Sequence, residues 1–151
     1  MKKYSKIIFV CDSGTMRAPM AEVIMKEYTI KYPLEIESRG LVVLFPEPLN
    51  QKAEAVLISN GINVGDHMSK QLSPEDLVPE NLIITMEEIQ RQKILEEYEE
   101  VADVDVEVLT ELVGDELEII DPYGGTLQTY GLCYETLNKT IKKLVNFINE
   151  E

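Results

Sequence analysis

Apolar runs without alternation recur along the chain, separated by stretches in which apolar positions return every three or four residues. The segment KIIFVC (6–11) is apolar on both faces, which predicts a central strand of a parallel sheet. From Ala18 to Tyr32, the spacing of Met20, Val23, Ile24 and Tyr28 predicts a helix. Pro19 is tolerated in its first turn, where a missing N–H costs nothing. LEIESRG (34–40) reads as a second strand ending at Gly40, and PLNQKAEAVLISNG (48–61) as an amphipathic helix stopped by Gly61. A loop with turn signals follows (62–77), then the buried strand NLIITM (81–86) and a mostly solvated helix over 87–100. VDVEVLTELVG (104–114) supplies a fourth strand and its exit. A polar loop with DPYGG (121–125) leads to a final helix from Leu127 to Glu150. No repeat, low-complexity segment or linker interrupts this order.

Strands alternating with helices imply a parallel sheet flanked on both sides by helices, with right-handed crossovers. Ligands of such sheets sit beyond the carboxyl ends of the strands, where strand order reverses. The end of KIIFVC and the DPYGG loop both reach that rim.

Composition narrows the partners more than the fold. The 151 residues suit one domain, and 44% hydrophobic with 28% charged residues describes a soluble globular protein. A formal net charge of -14 argues against nucleic acid or an anionic membrane as partner. No Lys or Arg occurs between Lys93 and Lys139, and the carboxylates from Glu96 to Glu118 read as a solvated acidic face. An anion site here must therefore be local, built from backbone N–H groups and one or two fixed cations. Two cysteines make no disulfide framework and suit a reducing cytosol. The apolar part of MKKYSKIIFVC is too short for a signal peptide, and no segment has the length and apolarity of a membrane span. A cytoplasmic monomer is expected.

The candidate chemistry lies at the first strand-to-helix join. Between Cys11 and Arg17 stand Asp12, Ser13, Gly14, Thr15 and Met16, with Ala18 opening the helix. A helix N-terminus presents unpaired N–H groups and partial positive charge, and a tight loop of successive amides forms a nest for phosphate-like oxygens. Arg17 adds a planar cationic fork that can grip two oxygens. In that field Cys11 is expected to ionise well below the ordinary thiol value and to face the centre of a bound oxyanion. A cysteine at a strand end is commonly a small core residue. The cysteine-x5-arginine spacing, with the strand, the turn glycine and the helix, favours chemistry instead.

VCDSGTMRAPMAE (10–22) together with DPYGG resembles the low-molecular-weight protein tyrosine phosphatase family, which includes bacterial protein arginine phosphatases. ESRGL, NLIITM and GINVGDHMSKQL look like further segments of that family, so the resemblance runs nearly the whole chain. It implies one three-layer α/β domain over 1–151, with a four-stranded parallel sheet in order 2-1-3-4 and helices on both faces. It also implies a hydrolase acting on phosphorylated protein side chains through a phosphocysteine, without metal or cofactor. Cys11 is then the nucleophile and Arg17 the phosphate clamp, within a phosphate loop running from Cys11 to Ala18. Asp121 is the general acid, a role that calls for a carboxyl kept protonated by burial beside the bound anion. Pro122 holds Asp121 extended, and Gly124 and Gly125 let the loop turn tightly.

The chain departs from the family pattern inside the loop. Gly14 stands where an asparagine usually braces the turn, Ala18 where a serine usually hydrogen-bonds the thiolate, and Met16 where a second cysteine is common. Losing a donor to a charged sulfur costs about 1.5–3 kcal/mol. Thr15 is the pocket residue that resembles arginine-selective members, as does the double glycine after Tyr123. Tyr123 would wall the pocket by ring stacking or by cation–π contact. These features lean toward phosphoarginine, with phosphotyrosine as the alternative and a non-catalytic phosphate-binding module as the reading from another class. Thioredoxin-coupled arsenate reductase needs further cysteines after the third strand, and none occurs from Ile83 to Glu100. Cys133 lies at helical spacing with Tyr130, Leu137 and Ile141 and reads as core. His67 reads as a structural loop residue, and Met16, Met20 and Met25 as packing.

Overall fold

The structure, a computed structural model, describes residues 1–150. Its sheet contains β1 (Lys6–Cys11), β2 (Glu35–Gly40), β3 (Asn81–Thr85) and β4 (Asp105–Val108), all parallel and in the order β2-β1-β3-β4. β1 is central, as its apolar run requires: Ile7, Ile8, Phe9 and Val10 are fully buried. Each such side chain contributes roughly 1.5–3 kcal/mol relative to exposure. Helices α1 (Arg17–Lys26), α2 (Gln51–Ser59), α3 (Glu88–Glu97), α4 (Leu109–Leu112) and α5 (Leu127–Asn149) complete the frame.

Two apolar layers show how the faces are covered. Ile7, Phe9, Leu82 and Ile84 point into a core shared with α1, α2 and α5. Ile8, Val10 and Ile83 point the other way, against Leu72, Leu77 and Ile94 of the 62–77 loop and α3. Both layers are apolar because strand side chains alternate faces while both faces are buried.

Several boundaries differ from the periodicity. α1 ends at Lys26, not Tyr32, although Tyr28 still packs on the core and donates from its hydroxyl to Asn138 Oδ1 at 2.8 Å. The apolar spacing therefore continued past the helix: Thr29 and Ile30 are β-branched and Pro33 follows. α2 starts at Gln51, because Asn50 caps it by accepting from the amides of Lys52 and Ala53. The exit of β4 is the one-turn α4, which the pattern did not predict. α5 ends one residue early, at Asn149.

An unexpected ion cluster sits under β2. Arg39 is 5% exposed and donates from Nε and Nη2 to Asp76, with Nη2 also on Glu37 at 2.6 Å. The contact with Arg39, joined by Lys6, holds the Glu37 carboxyl below its usual range despite the opposing effect of burial.

Candidate active site

Cys11 is the last residue of β1 and Arg17 the first of α1, so the intervening turn is pinned at both ends by regular structure. Parallel pairing sets Cys11 beside Gly40 at the end of β2. The backbone amides of Ala18, Gly14 and Met16 each favour the thiolate form of Cys11. This turn needs Gly14, whose φ is +75° and whose added Cβ would lie 3.0 Å from the Gly40 nitrogen. Gly40 is equally constrained: a Cβ there would stand 2.6 Å from Ser13 backbone.

The brace that Gly14 cannot supply comes from elsewhere. His67 Nε2 donates to the Gly14 carbonyl at 2.9 Å, and the Ser13 and Thr15 hydroxyls lie 2.7 Å apart. The Asn50 amide donates to the Thr15 carbonyl at 2.9 Å, while the Leu41 and Val42 amides hold the carbonyls of Cys11 and Asp12. Tyr130 of α5, 2% exposed, places its hydroxyl 3.4 Å from Met16 sulfur. His67 is thus a loop residue bonded to the turn between Cys11 and Arg17. Cys133, Met20 and Met25 are buried core residues and Met16 packs against them.

Arg17 is 2% exposed. Its Nη1 donates to the Ile119 carbonyl at 2.7 Å, and its Nη2 to Glu87 Oε2 at 2.6 Å with Asp121 Oδ2 at 3.8 Å. Neither hydrogen bond uses Nε–H, the remaining arm of the fork. Ile119 precedes Asp121 by two residues, so the guanidinium also bonds the segment that leads to Asp121.

The thiol expectation needs correction. Cys11 is 3% exposed, and burial pushes its thiol above the ordinary value against the pull of the Ala18 and Gly14 amides, Arg17 and the Met16 amide. The sequence pattern showed the favourable amides and cation. It did not show how tightly the sulfur is sealed, nor that Glu87 neutralises Arg17. Cys133 is likewise pushed up, to about 11, chiefly by burial.

Asp121 accepts from the Tyr123 amide through Oδ1 at 3.0 Å, the local turn that Pro122 and the glycines permit. Its side chain is 40% exposed, not buried as expected. Tyr123 is 77% exposed. The carboxylates of Asp12, Glu87 and Asp121 lie within 4.8 Å of one another, and Arg17 is the cation that joins two of them. Glu118 accepts from the Glu88 amide at 2.6 Å, tying the acid loop to the start of α3.

The low molecular weight phosphotyrosine protein phosphatase model matches residues 6–151. The chain belongs to that family. It is 32% identical over 139 residues to the low molecular weight protein-tyrosine-phosphatase PtpB of Staphylococcus haemolyticus, covering 92% of this chain and 96% of that one. The YwlE arginine phosphatase structure from Geobacillus stearothermophilus superposes with a TM-score of 0.86 at 27% identity, over 94% of this chain and 91% of that one. The low molecular weight protein tyrosine phosphatase structure from T. tengcongensis gives 0.86 at 33% identity, over 94% and 98%. The chain is accordingly a cysteine-dependent protein phosphatase of this family, with phosphoproteins as the implied partners. Among the described residues, no helix is long and apolar enough to cross a membrane.

Motif reading found Cys11, Arg17 and Asp121, which the fold brings together. It missed Glu87, Asn50 and Lys52. Glu87 carried one usable signal, an acidic residue just after a buried strand that ends on the same rim.

Proposed function

We propose that this chain removes the phosphoryl group from phosphoarginine side chains of proteins, with Cys11 as nucleophile, Arg17 as clamp and Asp121 as proton donor. The observation that carries the mechanism is the turn that joins Cys11 at the end of β1 to Arg17 at the start of α1, with the Arg17 guanidinium 3.8 Å from Asp121. Ionised Cys11 attacks phosphorus, an S–P bond forms, and the P–N bond breaks with its electron pair going to nitrogen. Asp121 donates the proton that this nitrogen takes. Water then gives a proton to Asp121 and attacks phosphorus, and the S–P bond breaks to release phosphate and thiolate. The amides and Arg17 hold the charge that builds on the phosphoryl oxygens.

Relatives carry both tyrosine and arginine phosphatase names, so the names do not separate the substrates. The local chemistry supports arginine. Thr15 and Gly124-Gly125 follow the arginine-selective pattern. The Asp12, Glu87 and Asp121 carboxylates lie within 4.8 Å of one another, and Asp121 is the proposed proton donor to the leaving group. A cationic guanidinium gains from that cluster, whereas a phenol does not. Residues 1–151 are read as one catalytic unit, a cytoplasmic monomer needing no metal or cofactor.

The test compares kcat/KM on matched phosphoarginine and phosphotyrosine peptides, with Cys11→Ala as control. Phosphoarginine is expected to be favoured by about 10-fold, and Asp12→Asn to erode the preference. Equal or reversed preference overturns the substrate assignment. Phosphate binding without turnover of either peptide would make the chain a binding module.

A further inference from the structure

Lys52 occupies the first turn of α2, where the helix macrodipole disfavours a cation. Its own helix therefore gives no reason for a lysine there. Its ammonium instead reaches out of the helix and donates to the Gly125 carbonyl at 2.6 Å, closing on the turn that carries Asp121. The same ammonium lies 5.9 Å over the ring of Tyr130, whose hydroxyl contacts Met16. Two residues before Lys52, the Asn50 amide holds the Thr15 carbonyl. The first turn of α2 is thus bonded to both halves of the site: to the phosphate loop through Asn50 and to the acid loop through Lys52.

Gly125 can take this bond only in a tight turn. Its amide donates to the Pro122 carbonyl at 2.8 Å, and an added Cβ would stand 2.9 Å from both that oxygen and Thr129. The Asp121–Gly125 turn is consequently held from two sides, by Arg17 at Ile119 and by Lys52 at Gly125. We propose that Lys52 is a positioning residue for the general acid, setting the distance between the Asp121 carboxyl and the leaving group while the phosphate loop stays fixed. This inference rests on Asp121 acting as the proton donor.

Proton donation matters most when the leaving group is a poor one, so the loss of Lys52 should be leaving-group dependent. The experiment measures kcat/KM on phenyl phosphate and on 4-nitrophenyl phosphate, which reports steps up to departure of the phenol. Lys52→Met is expected to lower the phenyl phosphate value by about 10-fold and the 4-nitrophenyl value by less than about 2-fold. Lys52→Arg, which keeps a donor of similar reach, should restore most of the loss. Combined with Asp121→Asn, Lys52→Met should add nothing further. Thermal stability should be unchanged or slightly higher, because a cation leaves the helix N-terminus.

Equal losses on both substrates, no loss, failure of Lys52→Arg to rescue, or full additivity with Asp121→Asn would overturn the proposal. The Asp121→Asn variant separates the two levels. If it loses both substrates equally, the acid assignment falls and this inference with it. If it is selective and Lys52→Met is not, only the role of Lys52 is lost.

Discussion

Glu87 changes what the cysteine-arginine motif can do on its own. A guanidinium bonded at 2.6 Å to a carboxylate offers the nearby sulfur little net positive charge, and the sulfur is itself cut off from water. Burial therefore favours a protonated Cys11, and the ionised fraction grows as pH rises. Replacing Glu87 with Gln leaves a hydrogen-bond acceptor while removing the charge, so Arg17 should act on the sulfur at full strength. Titration of the thiolate ultraviolet absorbance is expected to show a lower midpoint in Glu87→Gln than in the parent chain. An unchanged or higher midpoint would show that Glu87 does not set the charge felt by Cys11. The other residue-scale departures have compensations in place: His67 holds the Gly14 carbonyl, and the Ala18 amide serves the sulfur where a hydroxyl is missing.

At the scale of elements, β1 and β3 were legible as short apolar runs buried on both faces, and the edge strands β2 and β4 as short segments in which apolar and charged residues alternate. The end of α1 was not legible, because Tyr28 continues the helical spacing yet reaches the core from outside the helix. Cys11, Arg17 and Asp121 were visible because each belongs to a contiguous motif. His67, Asn50 and Lys52 join the site through bonds to backbone atoms distant in sequence, which no local pattern encodes, and Glu87 showed only its place just after a buried strand. Arg39 is a similar case: nothing in ESRGL marks it as a buried cation paired with Asp76 and Glu37. Removing Asp76 takes two charge-assisted hydrogen bonds from Arg39 and leaves it Glu37 and the Ser38 carbonyl, a loss of about 1.5–3 kcal/mol. Asp76→Ala is expected to lower urea-measured stability by about that much, and adding Arg39→Ala should recover most of it. A loss under about 1 kcal/mol for Asp76→Ala would mean Glu37 alone satisfies Arg39.

The whole molecule carries its thiols in the core on one side of the sheet, and this gives its stability a definite alkaline limit. Folded Cys133 keeps its proton up to about 11, against an ordinary value of 9.0, because burial penalises the thiolate. The unfolded chain releases that proton first, so the contribution is fully present below the ordinary value and disappears as pH rises toward the folded one. Over that window Cys133 alone should remove about 3 kcal/mol, with Cys11 acting in the same direction. Denaturant titrations from neutral to alkaline pH should show a shallower decline in Cys133→Ala than in the parent chain. Parallel declines would place the alkaline limit in other groups.

On the proposed mechanism, the Cys11–Arg17 turn and the two bonds that hold the segment around Asp121 serve one event, the transfer of phosphorus to the Cys11 sulfur. The most direct measurement is to react the protein with a phosphoarginine peptide, quench during turnover and locate the phosphoryl group by peptide mass mapping. The expected result is phosphate on the peptide containing Cys11, bound through sulfur, and none in Cys11→Ala. Turnover with no phosphorylated Cys11 peptide, or turnover that survives in Cys11→Ala, would contradict the account.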